Sequence, residues 1–496
     1  MSTITDQLTE QGLILLSNRE PYEHMHTPDG VVVRSPAGGL VSALDPILRK
    51  VSGTWVAWAS GDADAEVTDS SGRSAVPPAD PSYTLRRVWL DDADIEGFYL
   101  GFANSALWPV CHMFIQYLEL RTSHWDSYRS VNARFAAAVA EEAERIGGSP
   151  MVWVQDYHFA LAPALIRERV PGAMIHHFWH IPFPPPDIFR LIPLGVHDAL
   201  LRGMLGNDLI EFQTEGYARN FLDTVERMLP RHQVDKEAGT VEFEGRIVRV
   251  GAFPISIDVG EWERLSSLPT TIAVARTLRE RYAARGNKLV VSVDRVDYTK
   301  GIIRRLRALE HVWAEDAERR ERFTMLLVAT PSRSDVPAYA ELERDMLQYV
   351  ATINERFGTK DWTPIVLVNE NVDSDLLAAV YSAADVCLVS SLQDGMNLVA
   401  KEFIACQMEG DGALVLSRFT GAADELDGAI LVNPFFIDTF ADGIRAALDM
   451  PEHDRRVRMC TMRARLKRST IHDWLGGVLG AAERAKPLLA AGLLAT

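Results

Sequence analysis

Several familiar signatures are missing from this chain of 496 residues. No Gly-x-Gly-x-x-Gly follows the first apolar run, which weighs against a dinucleotide oxidoreductase. No Gly-x-x-x-x-Gly-Lys-Ser/Thr occurs, which weighs against a P-loop ATPase, and no His-Glu-x-x-His, which weighs against a zinc protease. Cysteine is scarce: Cys111, Cys387, Cys406 and Cys460 are scattered with no Cys-x-x-Cys spacing, as expected in a reducing compartment. Positive charge is short as well. Lysine and arginine number 51 against 68 acidic residues, a formal net charge of -17, which disfavours a nucleic-acid surface but not a locally cationic site for a phosphorylated substrate. No apolar run is long enough to span a bilayer. The first residues, Met1-Ser-Thr-Ile-Thr-Asp-Gln-Leu-Thr-Glu, show no basic region followed by an apolar one, so no signal peptide is expected. The expectation is a soluble, cytoplasmic protein.

What is present is ordinary globular composition, 47% hydrophobic and 24% charged, in a length that suits two large α/β domains. Short apolar runs alternate with helical patterns throughout. In the first half Gly12–Leu16, Trp55–Gly61, Met151–Val154, Ile175–His180, Asp208–Gln213 and Arg249–Asp258 read as strands, and residues 62–82 as a surface excursion. Helices are expected over Val41–Leu48, Asn132–Ile146, Phe159–Val170 and Tyr217–Met228. After a boundary near residue 260 the alternation resumes: strands 288–293, 324–329, 364–368, 386–390, 413–416 and 429–432, with helices 301–320, 338–357, 375–384 and 397–408 between them. This is the doubly wound pattern twice over. A helical stretch, Arg455 to Lys486, closes the chain, with a break expected at Gly476-Gly477.

Two stretches of the second half stand out. The run Leu289 to Val293 spills into Arg295 and Lys300, and Gly301 begins a helical pattern. Cations gathered where a strand ends and a helix begins suit a bound diphosphate, to which the helix start adds N–H donors. A solvated charged face is the plainer alternative. About a hundred residues later Asp394-Gly-Met-Asn-Leu-Val-Ala-Lys-Glu402 again follows a strand, with Glu402 near enough the helix start to reach a ribose or sugar hydroxyl. Together the two corners suggest a nucleotide-sugar site.

In the first half, Arg19 stands at the mouth of the first strand. Gly38-Gly39 precedes a helix, either as a ligand loop or as a turn. Asp156 and His180 stand at strand ends. Each has an ordinary structural reading, Asp156 as a helix cap or loop brace and His180 as a satisfied histidine, beside a substrate-contact one. The cluster His176, His177 and His180 is a poor metal site, because strand alternation sends His177 and His180 to opposite faces. Among the aromatics, Trp55, Trp58, Trp89, Phe98, Tyr99, Phe102 and Trp108 are core by default, with one or two free to face a sugar.

Taken in order, Ser-Asn-Arg19, Ala-Gly-Gly39-Leu, Trp-Val-Gln-Asp156-Tyr-His, His180-Ile-Pro-Phe-Pro, Val-Asp-Arg295-Val-Asp-Tyr-Thr-Lys300-Gly, Ala-Thr-Pro-Ser-Arg333 and Asp394-Gly-Met-Asn-Leu-Val-Ala-Lys-Glu402 resemble the trehalose-6-phosphate synthase family over about residues 12 to 485. These are retaining glucosyltransferases of glycosyltransferase family 20 with the GT-B architecture: two Rossmann-like domains facing across a cleft, and a C-terminal helix that crosses back. The resemblance implies an acceptor-binding domain over 1–260, a nucleotide-sugar domain over 261–470 and a crossover helix and tail over 471–496. Arg295 and Lys300 would hold the diphosphate of an NDP-glucose and Glu402 its ribose. The backbone of Met396, Asn397, Leu398 and Val399 would add donors. Asp394 and His180 would reach the glucose, and Gly39 would let a loop close on the donor. Asp156 would orient the acceptor sugar, Arg19 and Arg333 would clamp its phosphate, and Trp58, Tyr99 and Trp108 would shape its pocket, Trp58 being preferred over Trp55.

The implied mechanism has no protein nucleophile. His180, Asp156, Arg295, Lys300 and Asp394 form the catalytic set. The cations stabilise charge developing on the departing diphosphate, domain closure excludes water, and a leaving phosphate oxygen takes the proton of the attacking hydroxyl. The product would be α,α-trehalose 6-phosphate, with no cofactor and no metal. The partners are the donor and glucose 6-phosphate, with neither nucleic acid nor membrane; a homo-oligomer is compatible, although no sequence patch marks one.

Some residues depart from the family pattern. Gln155 stands where many members carry histidine, Glu20-Pro-Tyr follows Arg19 in place of the commoner apolar residues, and Pro184-Pro-Pro186 is proline-heavy. The acceptor alternatives are glycerol 3-phosphate, as in glucosylglycerol-phosphate synthases, or a pseudo-sugar. A glucan polymerase of the same fold does not need Arg19 and Arg333, and a non-catalytic sensor does not need the full charged set. The donor base, uracil, guanine or adenine, is left open.

Overall fold

The computed structural model describes residues 8–35 and 39–493, and they divide into two compact units. The first runs to Pro254 and resumes at Trp474; the second spans Ile255–Asp473. The expected boundaries were 260 and 470.

In the first unit the strands are β1 (Leu13–Leu16), β2 (Glu23–Thr27), β3 (Gly30–Arg34), β4 (Thr54–Trp58), β5 (Arg73–Val76), β6 (Tyr83–Val88), β7 (Met151–Gln155), β8 (Met174–Phe178), β9 (Leu209–Phe212), β10 (His232–Asp235), β11 (Thr240–Phe243) and β12 (Arg246–Ala252). All but β2 and β3 join one sheet, ordered β10-β11-β12-β9-β8-β7-β1-β4-β6-β5. From β12 through to β6 neighbouring strands are parallel, and β5, β10 and β11 are antiparallel edges. The central strands β1, β7 and β8 are buried on both faces, as parallel strands flanked by helices must be; β1 is an unbroken apolar run, β7 one up to Gln155, and β8 buries His176 and His177 as well. The chain builds β4 and β6 on one side of β1, then returns to place β7, β8, β9 and β12 on the other. The reversal leaves a crevice at the C-terminal ends of β1 and β7, the two strands that lead to Arg19 and Asp156.

The second unit carries β13 (Lys288–Arg295), β14 (Phe323–Thr330), β15 (Ile365–Val368), β16 (Val386–Val389), β17 (Ala413–Ser417) and β18 (Ile430–Val432), in one fully parallel sheet ordered β15-β14-β13-β16-β17-β18. Its reversal lies between β13 and β16, the strands that lead to Arg295–Lys300 and to Asp394–Asn397. Trp313, fully buried, anchors the core of this unit: its ring stacks on Phe323 at 4.9 Å and meets Trp362 edge-on at 5.9 Å.

The structure corrects several expectations. The hairpin β2–β3 follows the first strand. Residues 62–82 are more than an excursion, since they hold the edge strand β5 and a fully buried Asp64. Val259–Ser266 and Pro269–Tyr282 are helices in a stretch where no element was expected. The strand expected to reach His180 stops at Phe178. No break occurs at Gly476-Gly477: the closing helix runs unbroken over Ile471–Leu493, and the interruption falls earlier, after Lys467. Two helical glycines cost about 1 kcal/mol each relative to alanine. Burial of Leu475, Val478 and Ala482, and the packing of Trp474 on Trp153 at 5.6 Å and Phe178 at 5.1 Å, offset that cost. Cys111, Cys387 and Cys406 are buried free thiols and Cys460 is exposed. No helix among the described residues is long and apolar enough to cross a membrane.

Replacing Trp313 by alanine removes the largest side chain at the centre of the second unit's core. Urea unfolding is expected to show a loss of about 3–5 kcal/mol, with the transition of the second unit moving to lower denaturant.

Candidate active site

The corner after β13 is built from short-range geometry. Asp297 caps a single 3-10 turn, Tyr298–Lys300, through its bond to the Thr299 N–H at 3.0 Å. Gly301 then takes the left-handed conformation at φ 66° and opens the helix Ile302–Glu315. A Cβ at Gly301 would lie 2.2 Å from the Ser390 carbonyl oxygen, so the two loops touch there only because that side chain is absent. Beneath them Arg305, fully buried, donates to Asp294 at 2.6 Å and to Ser390 Oγ at 3.0 Å. Burial raises the Asp294 carboxyl, against the pull of Arg305 and Lys300.

Lys300 Nζ reaches across the reversal to Asp394 Oδ2 at 2.6 Å. The same oxygen accepts from Ser391 Oγ at 3.0 Å and from Asn397 Nδ2 at 3.1 Å. Asn397 sits at φ 90°, and its side-chain oxygen caps the helix Leu398–Cys406 by accepting from Ala400 N. The N–H groups of Leu398 and Val399 belong to the first turn of that helix, where no intrahelical acceptor exists. Met396, almost fully buried, accepts the Ala422 N–H at its carbonyl. Glu402, half-buried on the same helix, accepts from the Tyr381 hydroxyl at 3.1 Å, and burial pushes its carboxyl up to about 7.

Asp297 is the residue that sequence reasoning passed over. It is fully buried and lies 3.9 Å from both Arg295 and Arg333. Burial works to raise its carboxyl, but Arg295, Arg333 and Lys300 outweigh it and hold the group below its ordinary value. Arg333 is nearly buried, sits at φ 52° and donates to the Tyr339 hydroxyl at 2.6 Å, whereas Arg295 remains over a third exposed. Arg295, Lys300 and Arg333 thus converge on one corner of the second unit. A carboxylate set between Arg295 and Lys300 was the available signal for Asp297, but nothing in the sequence tied it to Arg333.

In the first unit Asp156 follows β7 at φ 67°, and its Oδ1 accepts the Tyr157 N–H at 3.0 Å. The buried histidines diverge. His176 meets Glu211 at 2.8 Å, His177 donates Nε2–H to the Asp156 carbonyl at 2.9 Å, and His180 donates Nε2–H to Gln155 Oε1 at 2.9 Å. Burial lowers His177 to about 4, and burial with the neighbouring His177 lowers His180 to about 3, so both imidazoles are neutral near pH 7. Arg19 is exposed; its carbonyl accepts from Ser17 Oγ, which in turn accepts from Trp55 Nε1. Trp55 is fully buried. Trp58 is half-buried and packs on Tyr99 at 5.7 Å, and Tyr99 stacks on His158 at 5.9 Å. Tyr99 lies in a π-helical segment, Ile95–Leu107, and Trp108, just beyond it, is buried against Tyr157 at 5.7 Å. Gly39 begins the helix Gly39–Val51, and the preceding residues 36–38 lie outside the described residues.

Residues 11–484 match the model of glycosyltransferase family 20. The chain belongs to this family. It is 39% identical over 484 residues to the trehalose-6-phosphate synthase of Mycobacterium avium (strain 104), covering 96% of each chain. Among solved structures, the UDP-forming α,α-trehalose-phosphate synthase of Burkholderia xenovorans in complex with glucose-6-phosphate is similar with a TM-score of 0.83 at 32% identity, covering 95% of this chain and 100% of that one. A trehalose-6-phosphate protein from E. coli bound with UDP-2-fluoro glucose is similar with a TM-score of 0.83 at 30% identity, covering 95% and 98%. The present family 20 member is therefore a glycosyltransferase, and its two-sheet α/β architecture is of the GT-B kind found in those structures.

Gly301→Ala in this glycosyltransferase forces both a left-handed alanine and a contact with the Ser390 carbonyl. Thermal and urea unfolding are expected to show a loss of about 1–2 kcal/mol from backbone conformation alone, and more from the clash.

Proposed function

We propose that this family 20 enzyme transfers glucose from an NDP-glucose, UDP- or GDP-glucose, to glucose 6-phosphate with retention, giving α,α-trehalose 6-phosphate and NDP. The observation that carries the reading is the corner where Lys300, Asp394 and Asn397 meet at the strand-order reversal of the second sheet, beside Arg295 and a helix start. Cations and first-turn N–H groups take the diphosphate there, and Glu402 takes a ribose hydroxyl. Asp394, held by Lys300, Ser391 and Asn397, meets the glucose hydroxyls. His180, neutral, exchanges a hydrogen bond with the sugar without adding positive charge beside a ring that becomes cationic.

Arg19, Trp58, Tyr99 and Asp156 of the first unit take the acceptor, with Trp108 shaping the pocket from behind, and Gly39, without a side chain, permits close approach of its backbone to the donor. Arg333 is the second unit's candidate for the acceptor phosphate. As the anomeric C–O bond breaks, its electron pair goes to the leaving diphosphate oxygen, where Arg295 and Lys300 offset the new charge. That oxygen takes the proton of the acceptor hydroxyl, whose oxygen bonds the anomeric carbon on the same face. The shape of the reaction explains the residues: the groups gathered in the second unit bind and stabilise anions, and none needs to attack carbon. The buried free thiols Cys111, Cys387 and Cys406 and the phosphorylated metabolites support a cytoplasmic location.

Nucleoside diphosphate release is expected from UDP- or GDP-glucose with glucose 6-phosphate, with a non-reducing disaccharide phosphate as product by mass and anomeric analysis. Release with glycerol 3-phosphate and not glucose 6-phosphate would overturn the acceptor assignment and leave the donor assignment standing. Lys300→Ala is expected to lower kcat on the order of 10²–10³-fold, because the charge it offsets develops only as the bond breaks. Arg19→Ala should instead raise KM for glucose 6-phosphate at least about tenfold, the size of one lost charge-assisted bond, with KM for the donor unmoved.

A further inference from the structure

Glu20 follows Arg19 directly but turns the other way: Arg19 is exposed and Glu20 is fully buried. One carboxylate oxygen of Glu20 accepts from the backbone N–H of Ser60 at 2.7 Å, its hydroxyl at 3.1 Å and the Gly61 N–H at 3.4 Å. The other accepts from Arg87 Nε at 2.7 Å. Arg87, fully buried on β6, also lies 3.0 Å from Asp64 and donates to the Tyr22 carbonyl and to Thr68 and Ser74. Asp64 in turn accepts the backbone N–H groups of His24 at 2.9 Å and Gly61 at 2.8 Å. Gly61 is held so closely that a Cβ would lie 2.4 Å from the His24 carbonyl oxygen.

This network joins the segment leaving β1, which bears Arg19, to the segment leaving β4, which begins just past Trp58. Both are residues that the proposed function gives to the acceptor. A buried cluster of this cost, placed directly behind an exposed arginine, fits a part that fixes the loop better than one that merely fills the core.

Its charge is unbalanced. Two carboxylates, Glu20 and Asp64, face one guanidinium, Arg87. His24 Nδ1 lies 3.0 Å from Asp64, and Glu23 approaches only the outer side of Ser60. One proton on either carboxylate makes the Arg87, Asp64 and Glu20 group neutral. Loss of that proton leaves a buried negative charge behind Arg19, where it opposes an incoming phosphate. We propose that Glu20 is a positioning residue for the acceptor-phosphate loop, and that a proton on Glu20, beside Asp64 and Arg87, sets how tightly the loop binds a phosphorylated sugar. Burial first, then the hydrogen bond with Asp64, pushes Glu20 up to about 8 against the pull of Arg87. Asp64 is held below its ordinary value: burial opposes this, but the bond from Glu20 and the backbone donors prevail. Glu20 is thus protonated near neutrality and ionises in mildly alkaline solution.

The inference rests on glucose 6-phosphate being the acceptor, and the test separates the two. Calorimetric titration of the full chain with glucose 6-phosphate, in saturating UDP, is run at several values between about pH 7 and 9, where the sugar phosphate, with a second pKa near about 6, is already dianionic. The wild-type Kd is expected to rise about tenfold across the range, the effect of one added charge in a partly polar interior, while the Kd for UDP stays constant. Glu20→Gln cannot ionise, and Asp64→Asn leaves Glu20 in a one-to-one pair with Arg87; each is expected to give a Kd that stays flat. A flat wild-type Kd overturns the role of Glu20 alone, as does a rise that persists in both variants. No binding of glucose 6-phosphate at any pH overturns the acceptor assignment and this inference with it.

Discussion

The reversal of strand order in each parallel sheet is the constraint on which the rest depends. At β1 and β7, and again at β13 and β16, the connections leave in opposite directions, and the ends of two adjacent strands stay uncovered. Polar backbone at those ends must find partners other than a covering helix. The chain meets this demand in the second unit with an ion pair, Lys300 to Asp394, which spans the gap from one strand end to the next. Ser391 and Asn397 complete the same carboxylate. The corner is thus organised before any ligand is considered, and its strained residue, Asn397, is held from both sides.

A second device recurs beneath both crevices. Under the Lys300 corner lies the buried pair Arg305–Asp294, and under the Arg19 loop lies Arg87 with Glu20 and Asp64. Burying such groups costs several kcal/mol per ion before attraction repays it, so they are weak evidence for stability as such. What they supply is direction. Each arginine donates to a carboxylate and to loop atoms at once, Arg305 to Ser390 and Lys300, Arg87 to Tyr22. A hydrophobic substitute of equal volume could fill the space, but it could not fix where the loop backbone runs.

Local order was written in the sequence wherever one residue type dominated a short window. The apolar runs of β1, β7, β13 and β14 announced buried strands, and Arg295, Lys300 and Asp394 were recognisable as charges placed where a core strand ends. Pairings across the fold were not. Lys300 and Asp394 stand 94 residues apart, and Arg87 and Glu20 stand 67 apart, so the sheet order had to be known before either could be seen. The same limit explains Gly476-Gly477, where local propensity reads as a break and tertiary burial of the flanking residues overrides it. The edge strands β5, β10 and β11 were missed because strands covered on one side only carry weaker apolar patterns. Glu20 illustrates both sides: its departure from the family pattern was visible, but its burial was not.

The charges also bear on how the glycosidic bond is made. Glycosidases use two carboxylates, one to protonate or attack and one to activate water. Asp394 is poorly suited to either task, because its Oδ2 already accepts from Lys300, Ser391 and Asn397. A carboxylate stabilised by an adjacent ammonium is a weaker nucleophile and a weaker base than a free one. His180 is neutral and donates to Gln155, so it offers no strong acid. What the second unit does concentrate is positive charge at the start of two helices. That distribution favours departure of an anion over attack by a protein group, and a departing phosphate oxygen is itself a base of suitable strength for the acceptor hydroxyl. In the proposed reaction retention follows from both events sharing one face of the sugar, and the protein's part there is to hold the substrates and offset the charge.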